Sequence, residues 1–119
     1  MIVDDDEDTR ELYAWAMRAA GWLVETVPDG KTAIIQAASF APDVIVMDLH
    51  MPVLDGYEAT RRLRADDVTR DVPVVVCTAF SGAAAEAASK AAGGTTFVAK
   101  PFDAESMRQL LERIVLDRE

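Results

Sequence analysis

One cysteine in 119 residues excludes an internal disulfide, and Cys77 sits in VPVVVCTAF, a run that reads as a buried strand. A small core hydrophobe is its expected role. Long apolar runs are missing too. Nothing approaches the roughly 20 residues that span a bilayer. The opening MIVDDDED also lacks the basic-then-apolar pattern of a secretory signal. The chain is expected to be soluble and cytoplasmic, with no membrane contact. Basic residues are scarce: 12 Lys and Arg stand against 21 Asp and Glu, for a formal net charge of −9. Direct nucleic acid binding is not expected, because gripping phosphates relies on clustered Lys and Arg. Linkers, internal repeats and low-complexity tracts are absent.

What is present is material for a core, since half the residues are hydrophobic, and the length suits one compact domain over residues 1–119. Apolar runs and helical patterns alternate throughout. Strands are expected at 1–3, 22–27, 42–48, 72–78 and 96–100. Helices are expected at 7–20, 31–39, 57–65, 82–92 and 103–116. Several strands are continuous apolar runs, so both of their faces are covered. Strand–helix alternation with short connections implies right-handed crossovers and a parallel sheet between helices. The expected fold is α/β: a flavodoxin-like, doubly wound (βα)5 with a five-stranded parallel sheet in the order 2-1-3-4-5.

In such sheets ligands bind beyond the carboxyl ends of the strands, where the strand order reverses. Strand 1 ends in Asp4 and Asp5, and strand 3 ends in Asp48, in the stretch IVMDLHMPVLDG. The topology makes these acids neighbours. Carboxylates so close raise one another's pKa unless a cation sits among them. A hard divalent cation, Mg²⁺, suits an all-oxygen site with open water positions, and the His50 carbonyl offers a further oxygen as the chain turns. Acidic residues before a helix are also ordinary caps, and Asp6, Glu7 and Asp8 are read that way. Strand 4 ends in Thr78 and strand 5 in Lys100. Taken alone, Thr78 reads as a strand-end hydroxyl on backbone and Lys100 as a solvated charge. Together the strand ends supply carboxylates, a hydroxyl and an ammonium, a set suited to a dianionic phosphoryl group. Asp48 is then the expected nucleophile, forming an aspartyl phosphate.

VDDDED, IVMDLHMPVLDG, VVVCTA and FVAKPF, in that order, resemble the receiver domain of two-component response regulators, essentially end to end. The resemblance implies that Asp48 accepts a phosphoryl group from a sensor histidine kinase or phosphotransfer protein. It makes Asp5 a direct Mg²⁺ ligand with Asp4 assisting through water, and Asp48 and the His50 carbonyl the other protein ligands. Thr78 and Lys100 match the switch hydroxyl and the phosphate-binding lysine, and Phe97 the switch aromatic. The Lys100–Pro101 bond is implied to be cis, a minority state even before proline. The implied activity is a signalling switch that catalyses only its own phosphorylation and dephosphorylation, not an enzyme with external substrates. Its output to an unidentified downstream protein runs through the face of helix 4, strand 5 and helix 5.

Some features depart from that pattern. Only Met1-Ile2-Val3 precede the acidic pair, a short first strand that suggests a trimmed or misplaced start, and no effector domain is visible. Thr95 and Thr96 stand where acidic residues usually precede strand 5, which disfavours the common transcription-factor dimer. His50 and Phe80 lie two positions beyond Asp48 and Thr78; a bulky Phe80 implies slow self-dephosphorylation. Trp15 and Trp22 are read as core and helix-packing residues. A haloacid-dehalogenase-type phosphatase would carry a second acid where Asp48-Leu49-His50 has none, and a flavodoxin would carry a Ser/Thr/Gly-rich loop after strand 1. A degenerate receiver serving only for docking would have an incomplete acidic pocket.

Overall fold

The computed structural model describes residues 1–79 and 82–118. Five strands and five helices alternate: β1 (Ile2–Val3), α1 (Glu7–Ala19), β2 (Thr26–Val27), α2 (Gly30–Phe40), β3 (Ile45–Met47), α3 (Gly56–Ala65), β4 (Val74–Thr78), α4 (Ala83–Ala92), β5 (Thr96–Ala99) and α5 (Ala104–Arg118). The strands form one parallel sheet in the order β2-β1-β3-β4-β5, the expected flavodoxin-like arrangement. Register places Ile2 beside both Thr26 and Val46, Ile45 beside Val74, and Val75 beside Thr96.

Successive strand residues point to opposite faces, and the sheet shows that period directly. Ile45, Met47, Val74 and Val76 join Ala33, Ala37, Ala59 and Leu63 of α2 and α3 in one core. Val44, Val46, Val75 and Cys77 join Ala14 and Met17 of α1 and Met107 and Leu111 of α5 in the other. Cys77 is buried, as its apolar run suggested.

Helix starts are set by local chemistry. Asp6, Asp29 and Asp55 each take an extended conformation, and their carboxylates accept from the backbone N–H of Thr9, Thr32 and Glu58. Asp103 does the same for Ser106 at the head of α5, at 2.8 Å. Each carboxylate satisfies a donor that a first turn otherwise leaves unpaired.

Two expectations need correction. Trp15 is 71% exposed and is not a core residue. The buried face of α1 is Tyr13, Ala14 and Met17, and Trp15 lies about 200° around the axis from Tyr13. Trp22, by contrast, is partly buried against the α1/α5 core. The second strand is Thr26–Val27, not 22–27. As the edge strand it pairs only with β1, whose two residues limit the ladder. Phe80 lies outside the described residues.

Candidate functional site

The carboxyl ends of four strands converge on one edge of the sheet. The ladder itself does the positioning: Asp4 N–H donates to Val27 O, Asp48 N–H to Val3 O, and Lys100 N–H to Thr78 O, at 3.2, 3.0 and 2.8 Å. Each of these three residues is thus the first one past its strand, held by the last backbone bond of a neighbour. Asp4, Asp48 and Thr78 are buried, Lys100 is partly buried, and Asp5 and His50 are exposed.

Asp4, Asp5 and Asp48 each bring a carboxylate oxygen to within 4.8 Å of the others. The ammonium of Lys100 lies 2.8 Å from Asp4 Oδ2 and 3.8 Å from Asp48 Oδ2. The second Asp4 oxygen accepts from the Asp6 N–H at 2.9 Å, so both Asp4 oxygens have partners. One ammonium against three carboxylates leaves the cluster short of positive charge. Burial pushes the Asp48 carboxyl above its ordinary value, and the Asp4 carboxylate adds to the rise; Lys100 and the His50 N–H oppose it. For Lys100, burial works to lower the pKa, but the Asp4 hydrogen bond and the Asp48 charge overcome it and the net shift is upward. A cluster of hard oxygens with unbalanced negative charge can hold a divalent metal ion, and its donor set fits an oxygen-seeking one.

The loop after β3 is shaped so that Asp48 can stand where it does. Gly56 N–H bonds Leu49 O at 2.9 Å. A Cβ on Gly56 would sit on top of the Asp48 carbonyl oxygen and 2.8 Å from Leu49 Cα, so no larger residue fits. Val53, in the same loop, has φ +70° and is 91% exposed. The Lys100–Pro101 peptide is cis, as implied by the resemblance. Phe97 on β5 is partly buried against the α2/α3 core, beside Glu86, Ser89 and Lys90 of α4.

Two residues at this edge carried no signal that the sequence reading used. The Arg10 guanidinium donates to the Asp4 carbonyl at 2.8 Å, tying α1 to the end of β1. The Tyr13 hydroxyl donates to the Phe102 carbonyl at 2.6 Å, across the loop that follows Lys100. Tyr13 was detectable in principle, as a polar-tipped aromatic four residues before Met17 on the buried face of α1.

Comparison with known proteins agrees with this fold. The model of the response regulator receiver domain family matches residues 1–112. The response regulator PleD of Caulobacter vibrioides is 37% identical over 103 residues, which cover 87% of this chain and 23% of PleD. MprA of Mycolicibacterium vanbaalenii is also 37% identical, over 98% of this chain and 52% of that regulator. The chain therefore spans from about a quarter to half the length of these relatives. Among solved structures, the chemotaxis protein CheY4 of Vibrio cholerae superposes with a TM-score of 0.90 at 31% identity, covering 95% of this chain and 94% of CheY4. The receiver domain of the sensor histidine kinase PA1611 from Pseudomonas aeruginosa, solved with a magnesium ion coordinated in its active site cleft, superposes at 0.87 with 33% identity. It covers 96% of this chain and 93% of that domain. By sequence over nearly its whole length, and by fold, this chain belongs to the response regulator receiver domain family, whose general function is a phosphorylation switch in two-component signalling.

Proposed function

We propose that residues 1–119 act as one receiver module in which Asp48 is the phosphoacceptor. The observation that carries the reading is the convergence of Asp4, Asp5 and Asp48 with the Lys100 ammonium at the carboxyl edge of the sheet. An Asp48 carboxylate oxygen bonds to phosphorus as the bond from phosphorus to the donor's histidine nitrogen breaks, leaving the imidazole to the kinase or phosphotransfer protein. The Lys100 ammonium, already within reach of both acids, pairs with a phosphoryl oxygen. The Thr78 hydroxyl donates to another. Asp5, Asp48 and the His50 carbonyl would hold Mg²⁺, with Asp4 acting through water. When bound, the cation neutralises charge that builds on the phosphoryl oxygens.

Phosphorylation adds roughly 1.5 to 2 negative charges at Asp48. Drawing Thr78 toward that charge vacates space at the end of β4, and Phe97, half-buried on the adjacent strand, turns into it. The face of α4, β5 and α5 then changes shape and is read by a downstream protein. The module catalyses its own phosphorylation and dephosphorylation, works in the cytoplasm, and makes no direct contact with nucleic acid. No described helix is long and apolar enough to cross a membrane.

The test is a Phos-tag gel or intact-mass measurement with acetyl phosphate, with and without Mg²⁺, on wild type and Asp48→Asn. The expected result is one Mg²⁺-dependent phosphoryl adduct that the variant lacks. An unmodified wild type that is folded would overturn the reading and leave a docking module.

A further inference from the structure

Tyr13 lies on the buried face of α1 with only 3% of its surface exposed. Its ring packs in the α1/α5 core, yet its hydroxyl reaches two groups on other elements. One is the Phe102 carbonyl at 2.6 Å, and the other is the Cys77 thiol at 3.7 Å. A phenol carries one proton. The short contact to a carbonyl takes it, so the thiol donates to the phenolic oxygen. A chain of two hydrogen bonds results, from Cys77 through Tyr13 to Phe102.

The ends of this chain sit next to the site. Cys77 immediately precedes Thr78 on β4, and Phe102 is two residues past Lys100. The segment after Lys100 leaves β5 and does not enter α5 until Ala104. Across that stretch Lys100 has one ladder bond, from its N–H to Thr78 O. The Tyr13 hydroxyl is a further anchor on this segment, reaching it from α1.

We propose that Tyr13 is a positioning residue for phosphoryl transfer: its hydroxyl holds the Lys100 segment so that the ammonium stays between Asp4 and Asp48. The inference rests on the reading of Lys100 as the group that pairs with the phosphoryl oxygens. Tyr13 itself touches no reacting atom. The metal ligands assigned above lie in the loops after β1 and β3, so the hydroxyl bears on the lysine and not on them.

The variant that isolates the hydroxyl is Tyr13→Phe, which keeps the ring in its core position. Its adduct formation with acetyl phosphate and Mg²⁺ is compared with wild type, alongside Mg²⁺ affinity by calorimetry and thermal melting. Loss of one hydrogen bond is expected to slow adduct formation roughly three- to tenfold. Mg²⁺ affinity should not weaken, since no ligand is disturbed and the competing ammonium is held less firmly. Equal adduct rates would overturn the proposal. So would a parallel loss of Mg²⁺ affinity and rate, which would mean that the hydroxyl supports the whole pocket. Asp48→Asn run beside it separates the two levels: an adduct surviving in that variant removes the reading of the site, whereas an adduct lost there with Tyr13→Phe unaffected removes only the role of Tyr13.

Discussion

The Lys100 ammonium lies 2.8 Å from a carboxylate oxygen of Asp4, a residue 96 positions earlier in the chain. Both groups are largely withdrawn from water, with side-chain exposures of 19% and 5%. An ion pair in that setting is costly to break one-sidedly, because the remaining charge has lost its solvent and gained nothing. On the proposed reading, the pair also holds the cation that the phosphoryl group would need.

Lys100→Met should therefore destabilise the metal-free protein, by about 2 kcal/mol, less than the 3–5 typical of fully buried pairs. Added Mg²⁺ should restore most of the loss by binding the folded state alone. Urea melts in chelator and in millimolar Mg²⁺ measure both quantities. A loss of the same size in the two buffers would show that Mg²⁺ does not take over the charge that Lys100 supplied.

Gly56→Ala tests the approach of α3 to the end of β3. The new Cβ would overlap the Asp48 carbonyl oxygen, and backbone cannot swing aside as a side chain can. A cost at or above the upper end of ordinary overpacking, about 3 kcal/mol, is expected, together with slower adduct formation as Asp48 is displaced. Unchanged stability would mean that the loop has slack that the geometry does not show.

Val53 is a β-branched residue held at φ +70°, in the left-handed region where its side chain is strained, and 91% of it is exposed. Relief of that strain in Val53→Gly should outweigh the glycine's extra freedom in the unfolded chain, for a net gain of about 0.5–1 kcal/mol. The urea midpoint should rise with its slope unchanged. A lower midpoint would contradict this balance.

Alkaline pH should expose the hydrogen-bond chain through Tyr13. Burial, above all, raises the Cys77 thiol above its ordinary 9.0 and the Tyr13 phenol well above its ordinary 10.0. Both keep their protons in the fold but lose them in the unfolded chain at those ordinary values. The stability they confer is complete below about pH 8. It declines as pH climbs past each ordinary value, by about 1.4 kcal/mol per pH unit for each proton held. Denaturant melts from pH 8 to above 10 follow the decline, and Tyr13→Phe should make it shallower above pH 10. A flat profile would show that neither group is protected.

Legibility followed locality. Helix starts were readable because an aspartate and the N–H three residues on settle the cap between themselves, as at Asp6. Strand ends were readable because an apolar run that stops at one polar residue marks where the strand gives way to a loop, as at Asp48 and Lys100. The length of β2 was not readable. WLVETV is apolar enough for six residues of strand, but only Thr26 and Val27 find a partner in β1. Trp15 misled for a related reason: a large aromatic favours burial, but the side of α1 that faces the sheet is chosen by Tyr13, Ala14 and Met17 together.

By itself, the order of apolar and polar residues determined the α/β alternation and which side chains stand at strand ends, because both depend on neighbours within a few positions. The sequence pattern already implied, through the topology, that Asp4, Asp5 and Asp48 meet; only the tertiary structure decided that Lys100 pairs with Asp4 and that Tyr13 reaches Phe102. Those contacts join residues from distant parts of the chain. They exist only once parallel pairing sets the register of β1, β3, β4 and β5, and packing on the sheet turns α1 to a single face.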